Sequence, residues 1–174
     1  MRDLLVELKE LRLHGMAQAW SELTEQGGVG VDTSRWLLEH LLQAEATDRA
    51  MRSVRHQMHA ARFPVHRDLA GFDFGISPVD RKLVVKLAEM GFTEQAHNVV
   101  LVGGPGTGKT HLATAIAVSG ITRHGKRVRF YSVVDLVNAL EQEKAAGRAG
   151  RIAASLVRMD AVILDELGYL PFSQ

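Results

Sequence analysis

Residues 103 to 110 read Gly103-Gly104-Pro105-Gly106-Thr107-Gly108-Lys109-Thr110. Glycines let consecutive backbone N–H groups turn inward around an anion, a lysine adds a mobile positive charge, and a neighbouring hydroxyl suits a hard cation. The apolar run Asn98-Val99-Val100-Leu101-Val102 precedes this stretch, and the amphipathic His111-Leu112-Ala113-Thr114-Ala115-Ile116-Ala117 follows it. The order is therefore strand, glycine-rich loop and helix, the context in which G-x-x-x-x-G-K-[ST] means a phosphate-binding loop. The following helix brings its positive N-terminal end beneath the phosphates. Residues 103 to 111 are the predicted nucleotide-binding segment, with Lys109 reaching the β and γ phosphates and Thr110 holding Mg²⁺. The side chain of His111 is read as a packed or capping imidazole without a chemical role.

A second cluster supports this reading. Ala161-Val162-Ile163-Leu164-Asp165-Glu166 is a short apolar run ending in two acids. It is predicted to be a strand buried on both faces, its C-terminal end meeting a ligand. Asp165 is then placed to hold Mg²⁺, and Glu166 to accept a proton from an attacking water. An acid pair suits hydrolysis better than transfer to a hydroxyl substrate, because water needs its own base. This favours an ATPase over a small-molecule kinase.

The composition of the chain is compatible with such a site. Its 174 residues make one large domain, or a small one plus an incomplete one, and 46% hydrophobic content is enough for a real core. A net charge of +1 gives no global pull toward nucleic acid or membrane, so any such preference must come from local clustering. The absence of cysteine excludes disulfides and thiolate metal sites and agrees with a reducing compartment. The start Met1-Arg2-Asp3-Leu4-Leu5-Val6-Glu7 has acids where a signal peptide is apolar, and no run approaches the ~18 apolar residues of a membrane span. A soluble, cytoplasmic protein with no membrane partner is expected.

The site must be positioned by elements that the periodicity reveals. Leu4, Leu8 and Leu11, continuing past Met16 to Trp20 and Leu23, predict a first helix closed by Gly27-Gly28-Val29-Gly30. Asp32, Thr33 and Ser34 are N-cap candidates for a second, in which Trp36, Leu37, His40, Leu41 and Ala44 share a buried stripe. Trp20 and Trp36 are expected to join the two helices in a core. Phe63-Pro64 ends the helical region, because the residue before proline avoids helical geometry. Leu69 to Gly75 reads as an extended linker. Ser77-Pro78-Val79-Asp80 opens a helix with Ser77 as N-cap, apolar positions Leu83, Val84, Leu87 and Met90, and a stop at Gly91. After the loop helix, ending near Gly125, Val128 to Ser132 reads as a strand. A helix then opens with Asp135 and breaks between Gly147 and Gly150, and Ile152 to Met159 leads into the acidic strand.

The fold class is thus α/β, a P-loop NTPase parallel sheet preceded by a small all-α N-terminal domain. Residues 1–70 form the helical domain, 71–96 a linker with the helix leading out of it, and 97–174 the nucleotide-binding part.

Arg49, Arg52, Arg55, Arg62 and Arg67, with His56, His59 and His66, lie in a stretch without an acid, flanked by Asp48 and Asp68. Arg49, Arg52 and Arg55, three apart, drift slowly around a helix and make one basic face. Arg49, Arg52, Arg55 and Arg62 are DNA-binding candidates through phosphate neutralisation. The alternative, a solvated face or arginines paired with acids of the first two helices, stays open. His56 and His59 have metal-ligand spacing but no third ligand, so no metal site is assigned to them.

These residues carry a resemblance. Leu8 to Ala17 (LKELRLHGMA), Arg62 to Phe74 (RFPVHRDLAGFDF), Gly103 to Ala113 (GGPGTGKTHLA) and Asp160 to Ser173 (DAVILDELGYLPFS) resemble the IstB-type helper ATPases of bacterial transposons, relatives of DnaC-type helicase loaders within the AAA+ superfamily. The likeness runs over the whole chain, and Gly168-Tyr169-Leu170-Pro171 is more particular to the family than either nucleotide motif. It implies ATP and Mg²⁺ as cofactors, ATP-dependent homo-oligomeric assembly on double-stranded DNA, and delivery or stimulation of a transposase. A helicase loader, or a remnant that only binds ATP or DNA, are the alternatives.

Members of the family continue into a further strand with a γ-phosphate-sensing polar residue, and later supply an arginine to a neighbouring subunit. This chain stops eight residues after Glu166. The expectation is an incomplete AAA+ core in which strands 98–102 and 161–165 pair directly or leave backbone groups unpaired. Each buried unsatisfied group costs about 1 to 3 kcal/mol against a total stability of about 5 to 15, so marginal folding and poor hydrolysis are expected.

Overall fold

The computed structural model describes residues 3–25 and 31–167. Two compact units are present, Met1–Ser53 and Val54–Gln174.

In the first unit α1 (Leu4–Glu10) starts at Asp3, whose carboxylate accepts the Leu5 N–H at 3.1 Å. The single N-terminal helix expected from periodicity is two, because Arg12 adopts φ 58° and α2 runs separately over His14–Glu25. The Leu13 N–H still bonds to the Leu8 carbonyl at 2.9 Å, so the turn is tight and leaves the apolar spacing nearly in phase. That is why the sequence pattern hides the break. The Gly27–Gly30 stop lies outside the described residues.

Helix α3 (Val31–Ala61) already contains the proposed caps Asp32, Thr33 and Ser34. Its residues up to Ser53 belong to the first unit. Leu42, with Leu38 beside it, joins Leu4, Leu8, Ala17 and Trp20 in the core. The expected stripe is wrong by one position: Trp36 is 69% exposed, and Leu37 and Leu41 are exposed as well. Leu37/Leu41 and Leu38/Leu42 both have helical i, i+4 spacing, so the pattern alone could not choose between them. Trp36 stacks on His40 instead, at 5.8 Å between ring centroids.

The second unit begins with the last turns of α3, where Val54 and Met58 pack on a core that includes Ala61. Arg62, at φ 58°, ends the helix just before Phe63-Pro64, as predicted. Leu69, Phe72 and Phe74 are not a free linker: all three pack against that core. Glycines at its ends disguise an aromatic segment as a connector. Helix α4 (Arg81–Ala88) is capped by Asp80, whose carboxylate accepts the Lys82 N–H at 2.8 Å, rather than by Ser77. The turn at its end is Met90 at φ 61°, and Gly91 opens the short α5 (Gly91–Glu94) instead of stopping a helix.

Helix α6 (Lys109–His124) is the centre of this unit. Residues Thr114 to Ile121 are buried without interruption, as expected of a helix enclosed on all sides. Gly120 lets Met90 approach, since a Cβ there would lie 2.8 Å from Met90 Cγ. Gly125, at φ 61°, terminates α6 at the predicted place.

Then follow β1 (Val128–Ser132), α7 (Val133–Ala145), α8 (Arg151–Leu156) and β2 (Ala161–Asp165). The two strands pair in parallel with Val128 opposite Ala161 and Ser132 opposite Asp165; the two helices form the crossover that parallel pairing requires. Arg127 and Asp160 fix this register. The Arg127 backbone N–H, Nε and Nη2 all donate to the Asp160 carboxylate at 2.7 to 3.1 Å, and the Asp160 N–H donates to the Arg127 carbonyl at 2.8 Å.

Two expectations about the sheet are corrected. Residues 98–102 form no strand; Val100 and Val102 are 78% and 89% exposed, and only Leu101 packs on the core. A strand needs a hydrogen-bonded neighbour, and among the described residues this segment pairs with none: the sheet consists of β1 and β2. Of the two arrangements expected for the acidic strand and 98–102, direct pairing does not occur. Strand β2 is likewise not buried on both faces, for Val162 and Leu164 face outward while Ala161 and Ile163 pack inward.

Candidate nucleotide site

The glycine-rich segment is an exposed loop whose backbone takes conformations that L side chains avoid. Gly106 has φ 73° and Gly108 has φ 86°. The Thr107 hydroxyl donates to the Gly104 carbonyl at 2.8 Å and closes the loop on itself. Gly108 is the N-cap of α6 and offers no side-chain acceptor, so no capping side chain occupies the N-terminal end of the helix. Lys109 is the first residue of α6, and its ammonium donates to the Gly103 and Gly104 carbonyls at 2.8 and 2.7 Å. The cation is thus held over the mouth of the loop, within reach of any anion the loop amides bind.

Thr110 and Asp165 are 55 residues apart and meet: the Thr110 hydroxyl donates to Asp165 Oδ2 at 2.9 Å. Helix α6 supplies the first from its opening turn and β2 the second from its last position. Packing of α6 on the sheet brings the two predicted motifs together. Glu166 follows at φ 64°, exposed and without a hydrogen bond or ion pair to any described residue. Its left-handed backbone turns the chain out of the strand directly after Asp165.

The donor set fits magnesium. Mg²⁺ is commonly bound by one or two carboxylates plus phosphate and water rather than by a cage of protein ligands. A hydroxyl and a carboxylate oxygen side by side at the edge of a glycine loop supply that. Among the described residues no group of three His, Cys, Asp or Glu suited to a metal occurs.

His111 contributes its backbone to the first turn of α6, while its ring is turned away to packing. Nε2 lies 3.1 Å from the Asp68 carbonyl, and the ring meets Phe72 edge to face at 5.2 Å. Phe72 was missed by sequence reasoning, yet it lies directly against the loop: a Cβ on Gly108 would be 2.8 Å from its Cε2. Two aromatics between glycines, Phe72 and Phe74 between Gly71 and Gly75, were the available signal, since large apolar side chains in a connector rarely stay in water.

The structure divides the basic candidates. Arg49 bonds to Glu45 at 3.2 Å and to the Leu11 carbonyl at 3.0 Å. Arg52 pairs with Glu45 at 3.2 Å and Asp48 at 2.7 Å. Glu45 and Asp48 lie on α3, the second helix expected from the sequence, so for Arg49 and Arg52 the alternative of pairing with acids of the first two helices holds. Arg55 and Arg62 are exposed and have no ion pair with a described residue.

Comparison with known proteins agrees with this geometry. Residues 6–174 match the family described as IstB-like ATP binding protein. The chain is 36% identical over 175 residues to an insertion sequence IS21 putative ATP-binding protein of Pseudomonas aeruginosa, an alignment covering all of this chain and 66% of the relative. It is 32% identical over 161 residues to the IS5376 putative ATP-binding protein of Geobacillus stearothermophilus, covering 92% of this chain and 64% of that protein. The chain thus spans about two thirds of the length of these curated relatives. With a glycine loop, a hydroxyl–carboxylate pair and a family match over nearly every residue, the chain belongs to the IstB-like ATP binding proteins.

Proposed function

We propose that this chain binds ATP with Mg²⁺ at the 103–111 segment and couples that binding to assembly on double-stranded DNA and stimulation of a transposase. The observation that carries the nucleotide part is the 2.9 Å contact of Thr110 with Asp165, which gathers the predicted magnesium ligands at the foot of the loop. Lys109 neutralises the β and γ phosphates, and the loop amides with the start of α6 orient them. Thr110 and Asp165 hold the cation, which when bound neutralises charge developing on the phosphoryl oxygens. Glu166 accepts the proton of the attacking water if hydrolysis takes place on this chain.

The transposition part rests on family membership and on relatives named for insertion sequences. In this reading residues 1–70 are a helical domain that meets DNA or a partner, with Arg49, Arg52, Arg55 and Arg62 as contacts. Residues 71–96 connect it to a partial AAA+ nucleotide-binding core over 97–174, and the full-length protein works in the cytoplasm as a homo-oligomer. Among the described residues no helix is long and apolar enough to cross a membrane.

Titration with a fluorescent ATP analogue tests the core of the proposal. Binding is expected to require Mg²⁺ and to weaken about ten- to hundred-fold in Lys109→Ala, the loss of a charge-assisted contact of about 1.5–3 kcal/mol. Magnesium-independent binding, or equal affinity in Lys109→Ala, overturns it.

A further inference from the structure

We propose that the cavity at the C-terminal end of α3, lined by Met58, His59, Arg62, Phe63 and His66, is a phosphodiester site that holds a nucleic-acid backbone. The inference rests on the DNA reading above and deepens it by naming the site.

The cavity measures about 310 Å³. That is at the lower end of the range for pockets enclosing a drug-sized ligand, about 300–1,000 Å³, and suits a phosphate with part of its sugar. Its polar lining is cationic or neutral, never acidic. Arg62, His59 and His66 are all exposed, and none has a hydrogen bond or ion pair with a described residue. No acid occurs from Arg49 to Arg67, and both flanking acids are engaged: Asp48 with Arg52, and Asp68 with the Gly71 N–H at 2.8 Å. Nothing described neutralises this cluster, in contrast to Arg49 and Arg52. An exposed ion pair must be broken before either of those can serve a phosphate, whereas Arg62 needs no such exchange.

The floor of the cavity is firm. Phe63 meets Phe130 edge-on at 6.5 Å between ring centroids, and Met58 packs on the same core. Arg129 donates to the Ala60 carbonyl at 2.6 Å and secures the last turn of α3. Arg62 then leaves the helix at φ 58°, so the cation stands on a fixed corner rather than a loose loop. A planar guanidinium in that position can grip two phosphate oxygens at once, which an ammonium cannot.

Fluorescence anisotropy of a labelled duplex, measured against KCl concentration on the full chain with ATP and Mg²⁺, tests the assignment. Removing one phosphate contact lowers the slope of log K against log salt by about 0.9, equivalent to roughly eight-fold weaker binding at 0.1 M salt. That change is expected for Arg62→Gln, and the triple substitution His59→Gln, Arg62→Gln, His66→Gln is expected to show at least the same loss of slope with weaker binding at every salt concentration. Arg62→Lys is expected to recover the slope. Lys82→Gln, which removes an exposed charge from α4, is expected to keep it. A parent that binds the duplex with a slope untouched by the single and triple variants overturns the site while leaving the DNA reading intact. A parent that binds no duplex refutes the DNA reading and the site with it. An unchanged duplex slope together with lost inorganic-phosphate binding in Arg62→Gln assigns the cavity to free phosphate and also overturns the proposal.

Discussion

Replacing Gly108 by alanine probes the contact between the phosphate loop and the aromatic segment before it. Two costs add. The residue sits at φ 86°, where a Cβ costs about 1–2 kcal/mol in backbone strain. The new methyl would lie 2.8 Å from Phe72 Cε2 and 3.5 Å from Cζ. The ring has little room to retreat, because Phe74 meets it edge-on at 4.9 Å and His111 at 5.2 Å. Overpacking of this kind costs about 1–3 kcal/mol. Gly108→Ala should therefore destabilise the protein by about 2–5 kcal/mol, a large part of a typical stability of about 5–15. Phe72→Leu removes the obstructing edge, so the double variant should regain the overpacking share and keep the backbone share. Urea unfolding followed by circular dichroism measures this as a double-mutant cycle, with midpoints compared at unchanged slope. Additivity of the two substitutions within about 0.5 kcal/mol would refute the claim that Phe72 bears on the loop.

Acid unfolding should report the clamp at the start of the sheet. The side-chain hydrogen bond from Arg127 holds the Asp160 carboxyl below the usual carboxylate range, with its charge assisting and partial burial opposing. Because the folded value is depressed, the stabilisation is complete above the ordinary value near 3.8 and is lost as pH falls through the lower folded value. Asp160→Asn should be less stable than the parent at neutral pH and converge with it at the acid end; parallel curves throughout would refute the linkage. Ile121, fully buried in α6, tests the core: Ile121→Ala should cost about 2–5 kcal/mol in the same urea experiment, and a cost below 1 would show that α6 is not enclosed as described.

Much of the nucleotide site is legible in one dimension because its chemistry is local. Glycines at 106 and 108 serve one tight turn, Lys109 and Thr110 ride on the next helical residues, and Asp165 ends a strand whose bounds, 161 to 165, the apolar run predicts. Periodicity likewise marks β1 and the end of α6. Elements whose form depends on a neighbour were not legible. Val99 to Val102 have strand composition, yet a strand is a pairing and among the described residues they pair with no strand.

Sequence by itself determined which residues are able to hold a phosphate and a metal, since backbone freedom, charge and hydroxyl chemistry belong to single residues at short spacing. Only the tertiary structure decided that Thr110 meets Asp165, that Phe72 lies against Gly108, and that Leu38 and Leu42 rather than Leu37 and Leu41 face the core. It also decided which arginines are engaged by acids and which stand free around the end of α3. The reason is physical: burial and pairing are properties of surfaces brought together in space, and degenerate spacings such as two overlapping leucine pairs are resolved only when one of them finds a partner.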